Sequence, residues 1–111
     1  MSLVSFPSWG KGISGQFLCK LEFPDGSSDQ YLIEVEKTIL KLKHHKYPIN
    51  NEYQLIFKNS KYNTLIFEMF PSVIFLSPGN KDKEIEFHEY RFYSDSKDIF
   101  RSGICEGPFM N

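Results

Sequence analysis

Residues 84 to 98, EIEFHEYRFYSDSKD, crowd carboxylates, a histidine, an arginine and aromatic rings into one predicted strand. Acid–base chemistry needs two groups with separated pKa values, or a nucleophile beside a base. The histidines are His44, His45 and His88. A pairing of His45 with His88, with Lys46 to steady an oxyanion, would run ribonuclease-like chemistry. Nothing in their spacing requires that pairing, and a surface HHK segment is common at a helix end, where it suits the dipole. No catalytic residue is assigned and the chain is not expected to be an enzyme. Cys19 and Cys105 stand far apart, with no CxxC or HxxxH spacing, so neither metal nor cofactor is expected. GKGISG, with Gly10, Gly12 and Gly15, lacks a preceding strand and the GK[ST] ending of a phosphate loop. Lys41 to Lys46 with Tyr47 and Tyr53 would suit single-stranded nucleic acid, but a solvated lysine-rich helix end accounts for them, and no direct nucleic-acid partner is expected.

The elements that must position these groups are mostly strands. Gln16 to Phe23 alternates with Phe17, Cys19, Leu21 and Phe23 on one parity, which marks a half-buried strand, and PDGSSD supplies turn chemistry after it. Residues 31 to 46, YLIEVEKTILKLKHHK, read two ways. Leu32, Val35, Ile39 and Leu42 make one helical stripe, with Asp29 as a cap, acids leading and lysines trailing. Tyr31, Ile33 and Val35 against Leu40 and Leu42 instead make two strands joined by a bulge or a turn near Glu36-Lys37. The helix is favoured. YQLIFK and YNTLIFEMF flank Asn59-Ser60-Lys61 as a hairpin, VIFL is a short buried strand, and Glu84 to Tyr93 is the last long one. Residues 1 to 15 read as an irregular lead-in and 102 to 111 as an irregular tail rich in Gly and Pro. The expected fold is α+β: an antiparallel sheet of five to six strands with one helix in a single domain spanning 1–111, with a small all-β barrel as the alternative.

Within the last strand the pattern changes parity. Ile85 and Phe87 oppose Glu84, Glu86 and His88, then Tyr90 and Phe92 join the acidic side while Glu89, Arg91 and Tyr93 join the other. A β-bulge near His88-Glu89, or a strand whose second half faces a different neighbour, is the expected cause.

The chain has 111 residues, 41% hydrophobic and 24% charged, with eleven Phe and six Tyr. It is long enough to bury a core unaided, and a net charge of −1 gives no global attraction to nucleic acid. Charge is nonetheless segregated. Lys37, Lys41, Lys43, Lys46, Lys58 and Lys61 face only Glu52 in the middle of the chain, whereas acids dominate 82 to 98. Strands from the two regions either pair and neutralise each other, or leave an acidic patch for a partner. MSLVSFPSWGKG has no basic leader or apolar core of a secretion signal, and no window reaches a membrane span. The cysteines are therefore expected to be reduced thiols, and the location cytoplasmic.

In size, Lys/Asn/Ile/Phe-rich composition and acidic-aromatic residues such as Glu84, Glu86, Tyr90 and Phe92, the chain resembles the small immunity proteins that bacteria make against toxins of contact-dependent growth inhibition. The resemblance implies a protein that binds one cognate toxin, a basic nuclease domain, and blocks its active site. Its docking surface would comprise Glu84, Glu86, His88, Glu89, Tyr90, Phe92, Tyr93 and Asp95. The alternative is a small-molecule carrier whose cup is lined by Phe57, Phe67, Phe75 and Phe87.

Overall fold

The structure is a computed structural model that describes residues 13–93 and 96–109. It consists of the strands β1 (Gly15–Glu22), β2 (Ser28–Glu36), β3 (Ile39–His44), β4 (Asn50–Asn59), β5 (Thr64–Met69), β6 (Ser72–Pro78), β7 (Glu84–Tyr93) and β8 (Ser96–Phe109). Each strand pairs antiparallel with the next, and β8 returns to pair with β1, so the sheet closes into an up-and-down barrel. The expected α+β fold is thus overturned: the described residues contain no helix, and eight strands replace the five or six expected.

The correction at residues 31 to 46 has a clear cause. Tyr31, Ile33 and Val35 point into the barrel, and so do Leu40, Leu42 and His44. The parity changes because a tight turn at Lys37-Thr38 intervenes, with Lys37 in the left-handed region (φ 57°). Tyr31 then lies opposite His44, Ile33 opposite Leu42 and Val35 opposite Leu40. The helical stripe was a coincidence of two alternating strands read through their turn.

The tail is also ordered: Ser102 to Phe109 belong to β8. Gly103 and Gly107 flank Cys105 on the inward parity, where β8 presses against β1. A Cβ on Gly103 would lie 2.0 Å from the Lys20 carbonyl oxygen, and one on Gly107 2.6 Å from that of Gln16. Only glycine fits there, so a composition that reads as irregular is what lets the seam close. Cys19 and Cys105 oppose each other across this seam and are joined as a disulfide, which overturns the expectation of reduced thiols.

The interior is filled by side chains, as eight strands permit. Phe17, Ile33, Leu42, Phe67, Ile74 and Phe87 are among those with almost no exposed surface. The packing changes character along the axis. At the end formed by the β1–β2, β3–β4, β5–β6 and β7–β8 connections, the inward positions become polar: His44, Ser72, Glu89 and Arg101 are all buried there.

Candidate functional site

Strand β7 runs without a break in parity. Ile85, Phe87 and Glu89 are buried, and Glu84, Glu86, His88, Tyr90 and Phe92 face outward. The register slips between Glu89 and Tyr90, as expected, but the extra residue is Phe100 on β8. The change of pattern in the sequence arises because the barrel interior turns from apolar to polar at that level. Arg91 lies there too, donating to the Ser72 hydroxyl at 3.1 Å.

Glu89 is therefore inside the barrel, away from the surface on which the sequence reading placed it. Its carboxylate accepts from Arg101 Nε and, at 3.0 Å, from the Tyr53 hydroxyl. The Arg101 guanidinium also sits 4.8 Å from the Tyr31 ring centroid. Burial and the Glu89 charge push the Tyr53 hydroxyl far above its usual range, so it stays a donor. The Glu89 charge likewise raises Arg101 against the opposing effect of burial. This is a structural ion pair, closed to any partner.

The remaining outward residues form a wall with distinctive electrostatics. Glu84 lies directly across from Glu106 of β8, and Glu86 across from Ile104. Like charges in opposed positions oppose sheet pairing. Among the described residues no lysine or arginine forms an ion pair with Glu84, Glu86 or Glu106. Glu86 lies 3.5 Å from His88 Nε2, and Glu84 accepts from the Lys81 amide. The same wall carries exposed apolar residues: Ile104, at 39%, beside the acids, and Ile99 at 53% and Phe92 at 37% towards its other end. The Tyr90 ring packs edge-on against Phe75 of β6. Asp95 lies outside the described residues. Sequence reasoning missed Glu106 and Ile104, because only the β7–β8 register places them beside Glu84 and Glu86.

The basic segment does not pair with this wall. Strand β3, which carries Lys41 and Lys43, is four strands from β7 by either route round the barrel, on the opposite side. Lys43 instead pairs with Glu34, whose carboxyl is held below its usual range by that contact and by Gln16. Lys41 faces Glu34 on one side and Glu52 on the other. Among the described residues, Lys41 and Lys43 thus have carboxylates beside them, whereas Glu84, Glu86 and Glu106 have no lysine or arginine ion pair.

The other candidates separate. His45 follows β3, whereas His88 is on β7, so the barrel holds the two on different walls. Tyr53 is buried and unable to stack a base. Phe67 and Phe87 do line the interior, but Phe57 and Phe75 point out of it. Asp29, His44 and His45 bring potential ligand atoms within 4.8 Å of one another. Their protons argue against a metal centre. His44 Nδ1 accepts the Lys46 and Tyr47 amides at 2.9 and 3.1 Å, so its Nε2 carries the hydrogen donated to Asp29. His45 Nδ1 lies 2.9 Å from the Gln30 carbonyl oxygen and must donate to it. Neither nitrogen facing the carboxylate has a lone pair for a metal. The group clamps the β3–β4 connection.

No family model and no curated protein matches the chain.

Proposed function

We propose that this barrel is a protein-binding inhibitor whose outer β7–β8 wall docks a cationic partner, in the manner of an immunity protein that covers the active cleft of a toxin. The observation that carries this reading is the set Glu84, Glu86 and Glu106, without a lysine or arginine ion pair among the described residues, with exposed Ile104 beside it and exposed Ile99 and Phe92 further along the same wall. Apolar anchors supply residence time, and complementary charge supplies partner choice and fast encounter. A nuclease-type toxin fits that chemistry, because a cleft that holds phosphates must be basic.

The test is a pull-down of the tagged protein from cells carrying its native genes, with wild type and a Glu84→Lys/Glu86→Lys variant side by side. One stoichiometric basic partner is expected with the wild type. In stopped-flow at low salt the variant should associate about tenfold or more slowly. It should not lose stability, since a lysine at position 84 meets Glu106 as an opposite charge. Equal association rates at low salt would assign the partner to another surface.

A second reading, the small-molecule carrier, draws on a cleft of about 650 Å³ lined by residues including Gln16, Glu34, Lys37 and Lys41. Its volume suits one small ligand. Native mass spectrometry of protein purified from its own cells, with a bound small molecule as the expected result, tests this reading.

A further inference from the structure

We infer that Cys19 and Cys105 are oxidised before the barrel closes, and that the protein works in an oxidising compartment. This inference does not rest on the docking reading. Seven of the eight strand junctions join neighbours in the chain, and β1–β8 is the exception. The cysteines sit on that junction, directly opposed and 86 positions apart in sequence. Their Cα atoms are 3.9 Å apart, closer than the roughly 4.5 Å of an ordinary narrow antiparallel pair. Gly103 and Gly107 on either side remove the Cβ atoms that would hold β8 off β1. The whole seam is shaped for this close approach, with the disulfide between the two glycines.

Both cysteines have 0% exposure. A thiolate must reach a sulfur in line to make or break the bond, and in the closed barrel no path leads there. The exchange therefore belongs to the open chain. One cysteine thiolate attacks a disulfide of an external oxidant, such as oxidised glutathione or a thiol oxidoreductase, and forms a mixed disulfide while releasing one thiol. The second cysteine then attacks its partner's sulfur and releases the other. Two electrons and two protons leave the chain, and the oxidant emerges as two thiols. Closure then buries the product beyond the reach of reductants. Such a bond is formed and kept where disulfide oxidants prevail. The disulfide overturns the reduced thiols that were expected together with a cytoplasmic location.

The test uses protein from its native cells, quenched in acid and alkylated with N-ethylmaleimide in denaturant. No adduct is expected by intact mass without prior reduction, and one on each of the two cysteines after it. Two adducts without reduction would overturn the inference. A second measurement follows thiol release from the folded protein as dithiothreitol is raised. The rate should level off at the rate of seam opening. Proportionality to dithiothreitol throughout would mean that the bond is reachable in the closed barrel, and would overturn the order of events.

Discussion

Glu89 and Arg101 form the most consequential contact made by individual side chains. Both charges are buried, and each is satisfied by the other, with Tyr53 completing the set. Removing one partner leaves an uncompensated charge in the core, so Glu89→Ala should cost about 3 to 5 kcal/mol in chemical denaturation. Asp29 predicts a pH dependence. Its carboxyl is held below the usual range, first by the His44 hydrogen bond and then by the Gln30 amide. A depressed folded pKa means that the unfolded chain takes up the proton first. The contribution is complete above the ordinary carboxylate pKa and fades as pH falls through the depressed folded one. Melting temperatures measured from neutral to strongly acidic pH should fall less steeply for Asp29→Asn. Neither contact was legible in the sequence. A glutamate in an acidic run reads as solvated, and Arg101 becomes its neighbour only through the β7–β8 register.

Among the elements, β8 shows how composition misleads. Its glycines predict an irregular tail, yet they are the residues that let two strands meet at close range. Gly103→Ala directs its methyl at the Lys20 carbonyl, a backbone atom with little freedom to move. The substitution should cost about 3 kcal/mol, read as a lowered denaturation midpoint. β1 and the outer alternation of β7 were legible as period-two runs, and β5 and β6 as short apolar runs between turn residues. β2 and β3 were not, because Leu32 and Val35 of one strand and Ile39 and Leu42 of the next happen to share a helical stripe across Lys37-Thr38. The outward acids and rings of β7 were visible as residues, while their neighbours on β8 needed the closed ladder.

At the scale of the molecule, one crosslink governs the topology. Joining positions 86 apart removes much of the freedom of the unfolded chain. In the chain-entropy model a loop of that length contributes about 4 to 5 kcal/mol. The Cys19→Ala/Cys105→Ala variant should therefore unfold at markedly lower denaturant concentration, and the unmodified protein should match it when assayed with a strong reductant. A closed ladder has a further consequence. Every strand has a neighbour on both sides, so no row of free amides and carbonyls awaits a foreign strand. With a single non-local junction, the sheet has either no edges or two, and it passes from one condition to the other in a single event. When the seam opens, both edges are presented at once, together with the apolar lining of the barrel, and a chain lacking the disulfide opens more often. Cross-β growth starts from surfaces of that kind. The bond between β1 and β8 thus guards against polymerisation as much as against unfolding.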